Sequence, residues 1–509
     1  MQKQTLLLLL LTGTLTGYAQ KPAHLPEFSI PANEPETHIR FLAADELMGR
    51  RTGEPGNLVA ARYITEQFRL LGLKMPESQA SYLQPVPMKK ILPPAQGLIT
   101  SGSTSLRINE DFVLVSGKAT TLTNAPVVFL PYGWTDQTGY DEYKGVDVRG
   151  KVIVCRIGTP TAKDRQDRQM ASEAKVQLAA EKGALALLEV YDLPNPVPFE
   201  RVVNQYGKER ILLQNRMPIL AGNFVGVAHS SIPHLWVKKS DFFSPTTLKT
   251  MSLTLSERSE TPFVSYNVAG VIEGSDPRLK NEYVILSAHF DHIGLKQYAR
   301  VQTNSTDSIC NGAHDNAMGI SALLYAARSY AAQPPKRSVL FLAFTGEELG
   351  LLGSAYYVNH PLVPLKQSVY NLNCDVFGYN DTNSISILGQ VRTDCDPEIN
   401  TAAQALGLKR LDDKEPEQDY FNRSDNAPFA IAGIPAQNYA AGITKTDEEV
   451  LRYYHTVEDD PGSLDYPYVH KFCKAFAYTG RLIANRPGKP RWSTITKYDT
   501  AYKRLYNVN

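Results

Sequence analysis

The 509-residue chain has few cysteines, almost no net charge and no long apolar run outside its first 20 residues. Its five cysteines include no C-x-x-C pair, so a disulfide-stapled miniprotein, a zinc-thiolate site and a thioredoxin-like centre are excluded. We expect most of them to be buried as small apolar side chains. Lys plus Arg number 53 against 52 for Asp plus Glu, which disfavours a nucleic-acid-wrapping or membrane-coating protein.

Residues 1–20 read MQKQTLLLLLLTGTLTGYAQ, a pattern typical of a secretory signal peptide. Lys3 supplies a positive charge, Leu6–Leu11 form an apolar run, and small residues precede a cleavage point expected after Ala19. The alternatives are a buried N-terminal helix or a membrane anchor, but this run is shorter than the about 20 residues that span a bilayer. We therefore predict export to the periplasm or the medium, and no membrane span in the mature chain.

Three regions follow along the mature chain. Residues 57–71 have apolar side chains at helical spacing, and Gly72 marks the end of this predicted helix. From about residue 106, short apolar runs of strand type predominate, with one Ala-rich helix over 171–182. From about residue 262, strands alternate with helices, which predicts an α/β domain with a mostly parallel sheet.

Imidazole and carboxylate groups follow the predicted strands of the third region. Strand 283–288 precedes His289 and Asp291, strand 338–344 precedes Glu347 and Glu348, and strand 369–374 precedes Asp375. A Gly-rich turn containing Asp315 opens a helix, and His455 lies far downstream. Because parallel strands end at one edge of a sheet, we expect the strand-end groups to converge there.

This combination of ligand types favours a metal site. Imidazole and carboxylate without thiolate suit Zn²⁺ or a similar divalent ion, and a carboxylate can bridge two ions in a hydrolytic centre. Neighbouring Glu347 and Glu348 point in different directions on an extended backbone, which suits one ligand and one proton-transfer base. A lone histidine at a strand end is more often structural, and a Glu-Glu pair is commonly a solvated helix start, so only the convergence of these groups indicates a metal site.

In their order along the chain, these motifs resemble the active-site motifs of the M28 family of zinc peptidases. They are His289-x-Asp291, Gly312-Ala-His-Asp315-Asn-Ala-Met-Gly319, Glu347-Glu348, Asp375 and His455. The run Phe344-Thr-Gly-Glu-Glu-Leu-Gly-Leu-Leu-Gly-Ser is especially specific. The segment HIRFLAADELMGRRTGEPGNLVAARYITEQFRLLG is similar to the family's opening helical segment, and the resemblance covers about residues 34–492.

The resemblance implies an α/β fold of the zinc-exopeptidase type, with a mixed, mostly parallel sheet flanked by helices. The middle region resembles a β-rich protease-associated (PA) domain inserted into such peptidases. The implied divisions are a signal peptide at 1–19, the first part of the peptidase domain at 20–105, the PA-like domain at 106–250, the main peptidase part at 251–492 and a C-terminal tail at 493–509.

The resemblance also implies a set of metal ligands. His289 and Asp375 would hold one zinc ion, Glu348 and His455 would hold the other, and Asp315 would bridge both. Two Zn²⁺ ions per chain are therefore expected as cofactors, with no further cofactor.

Other residues take implied roles around the metals. Glu347 would be the general base for the attacking water, Asp291 would orient the first zinc-bound histidine, and Tyr454 would steady the substrate's carbonyl oxygen. Two positions depart from the family pattern, because His314 replaces a residue that is often acidic and Asn426 ends a segment usually written Ser-Asp-His. We expect His314 to be a hydrogen-bonding neighbour of the site rather than a ligand.

The function implied is that of a secreted di-zinc aminopeptidase acting on peptides with a free N-terminus. Carboxypeptidase or dipeptidase action on the same scaffold is the main alternative. A glutaminyl cyclase, which uses one zinc ion, and a non-catalytic receptor-like protein are further alternatives. The complete set of five ligands speaks against the last two.

Overall fold

A computed structural model of the chain describes residues 30–162, 165–193, 198–215, 217–219, 223–225, 230–299, 304–493 and 496–508. The predicted signal peptide lies outside these residues. Within them the chain forms two layered units, each built on its own large sheet. The helices are α1 (Glu34–Leu42), α2 (Pro55–Leu70), α3 (Arg165–Glu181), α4 (Phe199–Tyr206), α5 (Gly319–Ala332), α6 (Leu352–Asn359), α7 (Asp396–Ala405), α8 (Asn426–Ile431), α9 (Glu448–Tyr453), α10 (Tyr466–Asn485) and α11 (Asp499–Tyr506).

The larger sheet has nine strands in the described part of the chain. They are β1 (Leu83–Leu92), β8 (Arg210–Leu213), β13 (Ser259–Ile272), β14 (Tyr283–His289), β17 (Ser338–Phe344), β18 (Ser368–Cys374), β19 (Ser384–Leu388), β20 (Lys409–Asp412) and β21 (Ala436–Ala441). Their order is β20-β19-β21-β18-β14-β17-β13-β1-β8. The pairs β14–β17, β14–β18, β18–β21 and β19–β20 are parallel and the others antiparallel, so the predicted mixed α/β sheet is confirmed.

The central strands of this sheet are covered by helices on both faces. Every residue of β17 and β18 is buried, as are all residues of β14 after Tyr283. On one face Phe341 packs against Phe68 of α2 and Tyr330 of α5, while Phe344 meets Tyr357 of α6 on the other. Because side chains alternate along a strand, residues 341 and 344 point to opposite faces. Continuous apolar strands are expected where both faces are covered.

The second sheet contains eight strands among the described residues. They are β2 (Gly97–Ser101), β3 (Thr104–Arg107), β4 (Phe112–Ser116), β5 (Thr120–Phe129), β6 (Val152–Arg156), β7 (Ala186–Tyr191), β11 (His234–Lys238) and β12 (Thr250–Leu255). Their order is β3-β2-β12-β5-β6-β7-β11-β4. The shorter ladders pair β9 (Met217–Ile219) with β10 (Asn223–Val225) and β15 (Gly294–Leu295) with β16 (Ile309–Cys310).

Two strands near the predicted domain limits belong to the sheet of the other predicted domain. Strand β2 lies inside range 20–105 but joins the second sheet, while β8 lies inside 106–250 and pairs with β1 of the larger sheet. In range 493–509, the hydroxyl of Tyr506 on α11 donates to the carbonyl oxygen of Ser368 at the start of β18. The exact limits and the PA-like character of the second unit stay predictions.

All five cysteines are buried, as the sequence predicted for most of them, and none forms a disulfide bond. Burial raises the pKa of the Cys155 and Cys310 thiols to about 12, so these side chains behave as small apolar groups. None of the helices in the described ranges is both long enough and apolar enough to traverse a bilayer.

Candidate active site

The carboxyl ends of β14, β17 and β18 carry the predicted site residues. His289 is the last residue of β14 and pairs in register with Phe344, the last residue of β17. Asp375 follows directly after β18, which runs parallel to β14 on its other side. Asp315 lies in a single irregular turn at Ala313–Met318 just before α5. Parallel pairing therefore brings side chains from distant parts of the sequence to one edge.

A first group of potential ligands forms around His289. Its Nε2 atom lies 3.3 Å from Asp315 Oδ1 and 3.4 Å from Asp375 Oδ1. The other ring nitrogen, Nδ1, is 3.1 Å from the carbonyl oxygen of Asp291. A carbonyl can only accept, so Nδ1 donates a proton there and Nε2 faces the two carboxylates. A metal-binding imidazole is commonly oriented in this way.

A second group forms around His455, whose Nε2 atom lies 3.2 Å from Asp315 Oδ2 and 2.9 Å from Glu348 Oε2. The two oxygens of Asp315 therefore face different histidines, as a bridging carboxylate requires. Zinc ligands at 2.0–2.1 Å in a tetrahedron are about 3.3 Å apart. The separations in both groups are close to this value, and the donor set of imidazoles and carboxylates suits Zn²⁺.

The charges of the two groups are complementary. Burial disfavours ionisation of Glu348, but the attraction of His455 and hydrogen bonds from His292 and His455 lower its pKa to about 2. Burial likewise opposes protonation of His455, yet Glu348 and Asp315 raise its pKa to about 10. Burial raises the pKa of Glu347 well above its ordinary range, and the nearby negative charges of Asp375 and Glu348 raise it further, while His289 opposes them.

Asp291 supports the turn that carries the two glutamates. Its carboxylate accepts hydrogen bonds from the backbone N–H groups of Glu347 at 3.1 Å and Glu348 at 3.4 Å, and from the Thr52 hydroxyl at 3.1 Å. The same carboxylate is 3.8 Å from His289 Nδ1. The hydrogen bond that orients His289 goes to the backbone carbonyl of Asp291, while the side chain positions residues 347 and 348. The implied orienting role of the carboxylate itself stays a prediction.

Two further polar side chains fix the turn around Asp315. Asn316 donates to the carbonyl oxygen of Cys374 at 2.9 Å and accepts from the N–H of Val376 at 3.2 Å, which ties this turn to the loop after β18. Asp459 accepts hydrogen bonds from the backbone N–H of Asp315 at 3.1 Å and from His314 Nδ1 at 2.6 Å. His314 is thus a buried hydrogen-bonding neighbour, as expected, and its partner is Asp459.

Arg50 lies fully buried beneath the site. Its guanidinium donates to four backbone carbonyl oxygens: Phe290 at 2.8 Å, Leu42 at 2.5 Å, Asn311 at 2.5 Å and Gly312 at 2.9 Å. Burial lowers its pKa to about 10, against the attraction of the surrounding carboxylates, so the group remains a cation at neutral pH. Arg50 therefore joins the N-terminal segment to the loop after β14 and to the turn before α5, and its positive charge offsets part of the negative charge of the site.

The ligand groups open into a cleft of about 460 Å³. Its lining includes all five predicted ligands, Glu347 and Tyr454. The ring of Tyr454 stacks on His455 with centroids 4.0 Å apart, and its hydroxyl oxygen accepts a hydrogen bond from Arg423 Nη2 at 3.1 Å. Asn426 does not line this cleft; it is buried and donates to the carbonyl oxygen of Phe421 at 2.9 Å.

Comparison with known sequences identifies the family of the part of the larger unit that carries the site. Residues 267–480 match the sequence profile of peptidase family M28. This part of the chain belongs to peptidase family M28. The M28 region contains each of the five potential ligands, Glu347, Asp291 and Tyr454, so the resemblance seen in the motifs is confirmed.

Two curated relatives cover part of the chain. Over 295 residues it is 31% identical to Aminopeptidase YwaD of Bacillus subtilis (strain 168), an alignment that covers 55% of this chain and 57% of that protein. Over 209 residues it is 30% identical to Leupeptin-inactivating enzyme 1 of Streptomyces exfoliatus, covering 39% of this chain and 42% of that one. The aligned segments thus span about half the length of these relatives.

Structural similarity to a solved protein covers more of the chain than the sequence similarity does. The structure titled "Aminopeptidase from Aneurinibacillus sp. strain AM-1" superimposes with a TM-score of 0.55 over 92% of this chain and 97% of that chain. The sequence identity is 19%, so this likeness establishes the shared fold alone.

Three supporting residues escape prediction from the sequence: Arg50, His292 and Asp459. Each stood close to a recognised motif, since Arg50 lies in the opening segment, His292 is three positions after His289 and Asp459 is four after His455. Arginine and aspartate are ordinary surface residues, and no periodicity marks them as buried. Of the three, only His292 has a signal in the sequence, because it is the second histidine of the His-Phe-Asp-His motif that begins at His289.

Replacing Arg50 by methionine removes the donors that serve four buried carbonyl oxygens. Because each unsatisfied buried acceptor is unfavourable, we expect the free energy of unfolding to fall by about 3 kcal/mol or more. Urea denaturation followed by circular dichroism measures the change. Arg62→Met on α2, where the side chain is 62% exposed, is the matched control and should alter stability by less than about 0.5 kcal/mol. Equal stability of the two variants would contradict the bridging role.

Proposed function

We propose that this chain is an exported di-zinc aminopeptidase that removes residues from the free N-terminus of peptides. The observation that carries the proposal is the bridging geometry of Asp315, whose two carboxylate oxygens face His289 and His455 separately. Membership of the M28 region in a peptidase family and the name of the relative YwaD support the reaction class.

The side chains present suit two ions at adjacent positions. His289 and Asp375 would hold one, His455 and Glu348 the other, and Asp315 would contribute one oxygen to each. Two zinc ions at such a centre supply Lewis acidity, lowering the pKa of water and polarising the carbonyl group of the scissile bond. The remaining steps fall to side chains of this chain.

Glu347 is the proposed general base. It lines the cleft next to the ligand groups, and its neighbour Glu348 is engaged by two histidines. The carboxylate of Glu347 takes a proton from the attacking water as the oxygen bonds to the carbonyl carbon. It then passes this proton to the amine nitrogen as the C–N bond breaks. Burial raises the pKa of Glu347, which strengthens this carboxylate as a proton acceptor.

Tyr454 is the proposed partner of the developing oxyanion. Its oxygen accepts a hydrogen bond from Arg423, and a hydroxyl group that accepts can also donate its own proton. The stacking of its ring on His455 fixes the hydroxyl close to the ligand groups. A donor that is held in place before the reaction stabilises negative charge more effectively than a mobile one.

Recognition of a free N-terminus follows from the charge of the cleft. The lining contains the carboxylates of Asp315, Glu347, Glu348 and Asp375. Two divalent ions would offset the charge of the three proposed ligands among these acids, which leaves Glu347 to attract an α-ammonium group, whereas an N-acetyl group is neutral and bulkier. A carboxypeptidase or dipeptidase is the second candidate, favoured by Arg423, whose guanidinium at the cleft could instead pair with a substrate carboxylate.

Export is proposed from the N-terminal sequence alone. Lys3, the leucine run at residues 6–11 and the small residues Gly17 and Ala19 support a cleaved signal peptide.

Glu347→Ala should abolish turnover without removing the metals. We expect kcat for an aminoacyl chromogenic substrate to fall by about 10²- to 10⁴-fold, because a positioned general base contributes that much. Zinc content measured by elemental analysis should remain at two ions per chain. Turnover at the wild-type rate in this variant would overturn the assignment of Glu347 as base.

His455→Ala should reduce the bound metal from two ions to one. The second group would keep only Glu348 and one oxygen of Asp315, too few protein ligands for a stable zinc site. Elemental analysis after dialysis measures the stoichiometry. His360→Ala, which replaces an exposed histidine bonded to the carbonyl of Tyr356, serves as the control and should keep two ions. Two ions in both variants would exclude His455 as a ligand.

Blocking the substrate's termini should separate the two candidate activities. We expect the zinc-loaded protein to hydrolyse a tripeptide with a free N-terminus at least about tenfold faster than its N-acetylated form, a difference of roughly 1.4 kcal/mol. Amidation of the C-terminus should leave the rate nearly unchanged. The reverse pattern, detected by chromatography of the products, would favour the carboxypeptidase or dipeptidase instead.

A further inference from the structure

His292 is a third imidazole at the site with no role in the ligand set described above. It lies in the turn after β14 and is buried, with 1% of the residue exposed. Its Nδ1 atom is 2.9 Å from Glu348 Oε1 and 3.9 Å from Asp315 Oδ2. These positions place His292 near enough either to bind the second metal directly or to orient the glutamate that does so.

The two oxygens of Glu348 distinguish these roles. Oε2 faces His455 at 2.9 Å, whereas His292 contacts the opposite oxygen, Oε1. Ligands of one tetrahedral zinc ion are about 3.3 Å apart, but His292 Nδ1 lies 3.9 Å from the Asp315 oxygen that faces His455. The contact with Glu348 therefore has the geometry of a hydrogen bond to the oxygen that points away from the second group.

The position of the proton leads to the same conclusion. A carboxylate can only accept, so His292 Nδ1 donates its proton to Glu348. If Nδ1 bound a metal instead, the proton would move to Nε2, which is buried and has no hydrogen-bond partner among the described residues. A ligating imidazole nearly always donates its other N–H to an acceptor, as His289 does to the carbonyl oxygen of Asp291.

The ring of His292 is held rigidly enough to act as such a donor. Gly312 has a positive φ of 67°, and a Cβ atom at this position would lie 2.7 Å from the Cγ and Cδ2 atoms of His292. On another side the ring meets His455 edge to face, with centroids 5.6 Å apart and an interplanar angle of 73°. Close packing against the glycine backbone and the second imidazole thus restricts the direction of the Nδ1–H bond.

We propose that His292 is a positioning residue that fixes Glu348 through Oε1, so that Oε2 alone is presented to the second metal. The inference rests on the proposed di-metal function. It adds a specific cause for the orientation of one ligand, since a carboxylate held through one oxygen cannot rotate to chelate the ion with both. Loss of an outer hydrogen bond of this kind typically weakens metal binding by about 10- to 100-fold.

Three substitutions at His292 test the role of the hydrogen bond. In His292→Asn the amide N–H can occupy the place of Nδ1–H, in His292→Gln it is displaced by one bond length, and His292→Leu has similar size but no donor. Stepwise zinc dissociation constants are measured by competition with a chromogenic chelator. We expect one of the two zinc sites to weaken about 10- to 100-fold in the leucine and glutamine variants, and less than about threefold in the asparagine variant.

Cobalt spectroscopy separates positioning from direct coordination. When His292→Leu is saturated with Co²⁺, its visible absorption spectrum should match that of the wild type, because the ligand set is unchanged. His360→Leu, at an exposed histidine, is the control for both measurements, and thermal unfolding of each variant reports whether it is folded. Should the leucine variant be unfolded, the contrast between asparagine and glutamine still decides the outcome.

The possible results have distinct meanings. Unchanged zinc affinities in all three variants, or equal weakening in the asparagine and glutamine variants, would overturn the positioning role. A changed Co²⁺ spectrum at saturation would identify His292 as a direct ligand and also overturn it. Two zinc ions on a wild-type protein that hydrolyses no peptide would refute the proposed function and leave the inference standing. A wild-type protein that binds no divalent ion would refute both.

Discussion

The parallel pairing of β14 with β17 and β18 is the constraint on which the site depends. Parallel neighbours run in the same direction, so the residues that follow all three strands emerge at one edge of the sheet. The register fixes this convergence, because His289 pairs with Phe344 and Ser287 pairs with Asn373. Helices cover both faces of these strands, and the dense packing of side chains such as Phe341 keeps the edge in place.

That edge concentrates negative charge in a small buried volume, and several kinds of contact make this arrangement possible. Imidazoles pair with Asp315 and Glu348, backbone N–H groups bind Asp291, and the guanidinium of Arg50 lies beneath the cluster. Unpaired carboxylates at this depth would hold protons rather than charge. The near-neutral net charge of the whole chain conceals this local excess of negative charge. Two divalent ions would neutralise it.

Segments far apart in the sequence share the task of holding the site rigid. Arg50 and Thr52 come from the N-terminal segment, and Asp459 comes from the loop beyond the last ligand, His455. Their hydrogen bonds end on the loops after β14 and before α5. The turn carrying Glu347 and Glu348 is held by Asp291, so each ligand-bearing loop is fixed by a residue from another loop. This mutual support allows irregular backbone to keep side chains in defined positions.

The sequence by itself determined several central elements of the larger unit and the candidate ligands. Residues 57–71, 283–288 and 338–344 have clear periodicity or continuous apolar character, and the observed α2, β14 and β17 agree with them within two residues. The resemblance of its motifs to those of the M28 family implied the ligand set. The sequence could not give the partners of Arg50, His292 and Asp459, nor the oxygen of Glu348 that faces His455. Those depend on hydrogen bonds between groups up to 262 positions apart, which leave no periodic signal and exist only once the sheet has brought the loops together.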